Sequence, residues 1–250
     1  ALLDRQRDSA PARGVYTCVP ASAGRKTGPG DFPGTRRSDR TARSGPNLSD
    51  PSPRGQTRSQ TPGGGRGSAL RPQLEMIRRG DPVPAVPQPA AGYGLRKVQL
   101  EDRQSYSQTF RTAFDEPSPF ADLIRNMLPD GFFVVEHQPT GTVVAASTAA
   151  KYPKAQHPDG HSLQWVVGHA DHLGTGSGRS TVAAATQVLA DLAPRYSYLS
   201  TDDFRLPAIN IYLKLGWQPL LFQHEQIARW ATVFEKLGME FNEDDWQKTP

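Results

Sequence analysis

The 250-residue chain carries 29 Lys/Arg against 25 Asp/Glu, a formal charge of +4, but residues 1–70 alone hold 12 Lys/Arg and 5 Asp, leaving −3 for residues 71–250. The basic character therefore belongs to the leading segment, and the charge of the remainder gives no support to nucleic-acid binding. A single cysteine, Cys18, excludes an intrachain disulfide framework and fits a reducing cytoplasm, and no run reaches the roughly 18–20 apolar residues of a membrane span.

The opening Ala-Leu-Leu-Asp-Arg-Gln-Arg lacks the apolar core of a secretory signal and an initiator Met, as expected of a fragment or an over-extended reading frame. Residues 1–68 are crowded with Gly, Pro, Ser, Thr and Arg and show no apolar period, which predicts a disordered tail. Its arginines could touch anionic polymers; a solvated tail is the simpler reading. In Leu70–Arg79 the three-residue step from Leu74 to Ile77 predicts a short helix, followed by a Pro-rich extended connector, Asp81–Pro89. These make a leader, residues 69–91, ahead of a folded domain over 92–240 and a tail over 241–250.

Within that domain Tyr93–Leu100 predicts a strand, and Glu101-Asp102 begin a helix running to about Phe114. Pro119–Leu128 predicts a second helix, with Phe120, Leu123, Ile124, Met127 and Leu128 on one face. Gly131–Glu136 and Thr142–Ala149 read as strands joined by a hairpin turn at His137–Gly141. After the loop Lys151–His161, Trp165-Val166-Val167 suits a buried strand, Gly174–Gly178 a glycine-rich loop, and Val182, Ala185, Leu189 and Leu192 the apolar stripe of a helix. Tyr196–Ser200 is a short strand. Asp202-Asp203 start a helix with body Pro207–Leu215, ended by Gly216, and Trp217–Gln223 is a further strand. Glu225–Leu237 closes the domain with an amphipathic helix, Ile227, Trp230, Phe234 and Leu237 sharing a stripe.

A strand, a glycine loop and a helix N-terminus together offer phosphate a set of backbone N–H groups and a partial positive charge. The loop is not a P-loop, because Arg179-Ser180 stands where Lys-Ser/Thr would close it. Its Gly-x-Gly-x-Gly spacing also departs from the dinucleotide fingerprint. A tight strand-to-helix connection without a ligand explains the glycines equally well.

A second stretch, Ala208-Ile209-Asn210-Ile211-Tyr212-Leu213-Lys214-Leu215-Gly216-Trp217, breaks the tie. Together with WVVGHADHLGTGSGR it resembles the two signature segments of the GCN5-related N-acetyltransferase (GNAT) family, in the family's order and separation. The resemblance covers roughly Gly92–Phe222. It departs at Leu173, where the family usually has Arg or Gln, at Ala170 in place of Pro, and at Arg205 where Asn is common. Backbone amides make most of the phosphate contacts of such a loop, and Leu173 supplies one as well as Arg would.

The resemblance implies an α/β (α+β) fold with a mixed, mostly antiparallel central sheet flanked by helices, and a splayed strand pair where acyl-CoA enters. It implies acetyl-CoA as co-substrate and a small-molecule or peptide amine as acceptor, the two early helices forming an acceptor-side lid. Val167, Gly168 and His169 would bond the pantetheine arm, and Leu173, Gly174, Thr175, Gly176, Ser177, Gly178 and Arg179 would hold the pyrophosphate. Tyr212 aligns with the tyrosine that protonates the departing thiolate; core packing is its other reading. No general base stands out, since the organising strand offers Gln164 rather than Glu, leaving Glu136, His161, Asp202 and His169 as candidates acting through water. His169, Asp171 and His172 flank the loop and read as loop residues, with no metal implied. The family usually ends in two antiparallel strands, so the helix over 225–237 is a departure that covers the sheet edge or forms a homodimer contact. Three functions stay open: an N-acyltransferase, a CoA-binding module without the chemistry, and a partner- or RNA-binding protein acting through the tail.

Overall fold

The computed structural model describes residues 72–80, 82–114, 116–193, 195–248 and 250; the expected disordered tail, residues 1–68, lies outside them. Apolar runs rich in Val, Ala and Phe build the centre of a 7-stranded sheet. In chain order its strands are β1 (Leu74–Arg79), β2 (Tyr93–Lys97), β3 (Met127–His137), β4 (Thr142–Lys151), β5 (His161–Gly168), β6 (Tyr196–Thr201) and β7 (Gln218–Leu220), arranged β2-β3-β4-β5-β6-β1-β7. Every neighbouring pair is antiparallel except β5 and β6. Helices α1 (Arg103–Ala113) and α2 (Phe120–Asn126) cover one face, where Tyr106, Phe110, Phe120 and Leu123 pack on Phe132, Val134, Ala146 and Trp165. On the other face α3 (Ser177–Leu192), α4 (Leu206–Lys214) and α5 (His224–Lys236) bury a core that includes Leu163, Val166, Leu199 and Trp217.

The short helix expected over Leu70–Arg79 is instead strand β1. A single three-residue step cannot separate helix from strand in a segment this short, and so short a helix has little stability of its own. The sheet supplies what the segment lacks. β1 pairs β6 along its whole length and β7 along its other edge, with Leu74 and Met76 in the α3–α5 core and Ile77 on the opposite face. The resemblance implies two strands after the last motif. Among the described residues β7 is the one strand that follows it, and β1 stands beside β7.

Glu75, 4% exposed on β1, anchors this arrangement. Its Oε2 meets His157 Nε2 at 2.9 Å, and its Oε1 accepts from Lys154 Nζ, both donors coming from the β4–β5 loop. The His157 ring stacks on Tyr198 with centroids 4.1 Å apart. Burial by itself would raise the Glu75 carboxyl; the hydrogen bonds and charges of His157 and Lys154 outweigh it and hold the group below its usual range.

Smaller differences have local causes. The β7 ladder covers only Gln218–Leu220 of the expected Trp217–Gln223. Asp202 and Asp203 precede α4 rather than opening it, because each is drawn to a guanidinium: Asp202 to Arg205 at 2.8 Å and Asp203 to Arg229 at 2.6 Å. The apolar stripe of α5 is buried within the chain, Trp230, Val233 and Phe234 joining the α3–α4 core. Phe241 and Trp246, in the expected C-terminal tail, also pack there, and Leu221 N–H donates to Gln247 O at 2.7 Å. No helix among the described residues is long and apolar enough to cross a membrane.

Candidate functional site

Two features of β5 prepare the site. Trp165 has φ 47°, and the ladder with β4 slips there: Thr148 is opposite Gln164 while Ala146 is opposite Val167, so Trp165 and Val166 together face Ser147. This bulge switches the phase of the strand. Trp165 and Val167 therefore reach the α1 side, and Val166 the α3 side. The second feature is a parting from β6. Their register pair is Ser162↔Tyr198, near the start of both strands, so among the described residues the β6-facing edge of β5 has no ladder partner toward Gly168.

Beyond Gly168 the chain makes a 3-10 turn over Ala170–His172 and enters α3 through Gly176, whose φ of 79° is a left-handed conformation suited to glycine. The loop is braced from outside its amides. Ala90 N–H donates to Thr175 O at 2.8 Å, and the Thr175 hydroxyl donates to His172 O at 2.9 Å. No hydrogen bond among the described residues uses an N–H of Leu173 through Arg179 as donor; the first turn is closed only from Ser180 N–H to Gly176 O at 3.0 Å. A run of uncommitted N–H groups at the positive end of a 16-residue helix is a cradle for an anion.

A pocket opens over this cradle. It is lined by Gly168, His169 and all of Leu173–Arg179, together with Val144, Ala145, His172 and Ile211. The expected cofactor residues thus come together, with one exception. Val167 is fully buried, packs toward α1 and is paired with Ala146, so only its backbone stands near the site. Leu173, 40% exposed, occupies the lining where the family usually carries Arg or Gln.

Tyr212 lies on α4 one residue beyond the lining residue Ile211, with 0% exposure, in the core cluster that also holds Val166 of β5 and Leu199 of β6. The candidate bases are dispersed. Glu136 is bound by Arg96 Nη2 at 2.6 Å, in a network where Arg96 also grips Asp102. Asp202 is held by Arg205 and by Gln73 Nε2 at 3.2 Å. His161 begins β5, at the far end from the loop, with a buried Nδ1 that has no partner among the described residues; burial and then Lys151 hold its pKa below the usual value. Only His169 lines the pocket. Gln164, buried on β5, donates to Ser162 Oγ at 2.9 Å, while its Oε1 and the facing Thr148 Oγ1 have no hydrogen-bond partner among the described residues.

Sequence reasoning missed the surroundings of His172. Tyr93 of β2 and His137 at the end of β3 close around it: Tyr93 Oη lies 2.9 Å from His172 Nδ1, and the His137 and His172 ring centroids are 4.9 Å apart. These residues are 35 and more positions from His172 in the chain, and only the sheet order brings them together. Among the described residues no group of three His, Cys, Asp or Glu is arranged to hold a metal ion.

Residues 98–217 match the sequence model of the acetyltransferase (GNAT) family. A GCN5-related N-acetyltransferase from Sphaerobacter thermophilus is 20% identical with a TM-score of 0.47, over 60% of this chain and 49% of that one. A putative GNAT-family acetyltransferase from Novosphingobium aromaticivorans is 16% identical with a TM-score of 0.45, over 60% and 61% of the two chains. The chain therefore spans about half to three fifths of the length of these structures. Comparison with curated proteins gave no match.

Proposed function

We propose that this chain, whose residues 98–217 match the sequence model of the acetyltransferase (GNAT) family, moves an acetyl group from acetyl-CoA to a primary amine of a small molecule or peptide by direct attack, in the cytoplasm. The observation that carries the reading is the run of uncommitted amides from Leu173 to Arg179 above the open edge of β5. Acetyl-CoA supplies an activated thioester. The loop amides and Arg179 would hold its diphosphate, and the β6-facing edge of β5 would take the pantetheine arm as an added strand. Holding amine and thioester together provides most of the rate. As the C–N bond forms and the C–S bond breaks, Tyr212 would give its phenolic proton to the leaving sulfur, and the amine's surplus proton would leave through water. The unpartnered Gln164 Oε1 and Thr148 Oγ1 support an N–H donor binding on the α1 side.

A second reading, a CoA-binding module without turnover, is favoured by one observation: β5 carries Gln164 and no carboxylate. Both readings require CoA binding. In a calorimetric titration the full chain is expected to bind acetyl-CoA, and Gly176→Asp to weaken it by about tenfold or more through repulsion of the diphosphate. Asp is among the residues that tolerate a left-handed conformation, and a Cβ at Gly176 would meet nothing nearer than Pro89 Cα at 3.9 Å, so the fold should survive. Gly176→Asn, of the same shape without the charge, should lose much less. If wild type itself fails to bind, the loop is only a connection and both readings fall.

A further inference from the structure

Three imidazoles and a phenol gather on the β2–β3 side of the glycine loop, apart from the parting of β5 and β6. His169 and His172 line the pocket, their ring centroids 5.3 Å apart, and His137 stands 4.9 Å from His172. Among the described residues the groups facing His172 are neutral or basic except one: Tyr93 comes from β2, His137 from β3, His169 from its own loop, and Asp171 is the carboxylate. The Asp171 side chain is 85% exposed, with its Oδ2 3.9 Å from His169 Nδ1. Burial and the two neighbouring imidazoles keep His172 below its usual pKa.

Packing three imidazoles against one another serves no apolar core, and it opposes the protonation of His172. A dianion beside them would reverse that opposition. Tyr93 already engages His172 Nδ1, which fixes the ring. We infer that this cluster is a second phosphate site, adjoining the amide cradle, that takes a terminal phosphate monoester of the bound nucleotide. The inference rests on the acyl-CoA reading. It assigns the 3′-phosphate of CoA to His137, His169 and His172, and leaves the diphosphate to the loop amides. Two consequences follow from the charge. CoA should bind more tightly than 3′-dephospho-CoA, and its binding near neutral pH should take up protons, since an anion stabilises imidazolium.

The experiment is calorimetric titration of the full chain with CoA and with 3′-dephospho-CoA, in buffers of different ionisation enthalpy. Wild type is expected to prefer CoA by about tenfold, the size of one charge-assisted hydrogen bond, with proton uptake for CoA only. In His137→Ala/His172→Ala the preference and the extra proton uptake should vanish together, and His172→Gln should do the same if the double variant melts early. Equal binding of the two ligands by wild type would overturn the inference while leaving the acyl-CoA reading intact. An equal loss of both ligands in the variants would also overturn it, because the imidazoles would then serve the diphosphate or the loop. Failure of wild type to bind either ligand would remove the acyl-CoA reading and this inference with it.

Discussion

Tyr212→Phe is expected to lower kcat by about 10²–10⁴-fold, the usual contribution of a positioned general acid, while acetyl-CoA binds as before. The substitution removes one hydroxyl and keeps the ring that packs among Val166, Leu199 and Trp217. Proton donation to the departing sulfur matters only as the C–S bond breaks, so its loss should appear in kcat and kcat/KM alike rather than in ground-state binding. The measurement is steady-state turnover with an amine acceptor, beside calorimetric binding of acetyl-CoA and a melting curve for each protein. Unchanged kcat in the variant would leave Tyr212 as a core residue only. Binding without turnover in both proteins, across a broad screen of amines, would favour the CoA-binding module.

The chain shows which parts of such a site sequence can reveal. The run of open N–H groups was legible because its cause is local: glycines before a helix leave N–H groups without acceptors, and the donors themselves lie between Gly168 and Ser180. The helix stripes were legible for the same reason, their contacts recurring every three or four residues. The bulge at Trp165 gave no sign of itself, since neither Gly nor Pro marks it, and it follows from how β5 settles against β4. Strand β1 was misread because six residues carry too little periodicity to decide; the decision belongs to β6 and β7, more than a hundred residues later. His137 and Tyr93 around His172 have the same origin, each on a different strand. What sequence hides here is the set of contacts that the strand order creates.

One contact of that kind is Glu75 with His157 and Lys154. Glu75→Ala is expected to destabilise the protein by about 3 kcal/mol, the lower end of the cost of breaking a buried charged pair. The lower end applies because Lys154, with its side chain 21% exposed, can turn to solvent, whereas His157 at 1% cannot and would lose the partner of Nε2. In a domain of this size the melting temperature should fall by roughly 6–12 °C. The loss should also depend on pH in a defined direction. Because the folded state holds Glu75 below its usual carboxyl pKa of 4.5, its contribution is complete above that value and disappears as pH falls through the lower, folded one. The gap between wild type and Glu75→Ala in chemical denaturation should therefore be constant from neutral pH down to about 5 and close under more acid conditions. A gap that persisted undiminished in acid would mean that Glu75 acts by packing alone. No gap at all would mean that β1 is held in the sheet by its ladders to β6 and β7 without help from the β4–β5 loop.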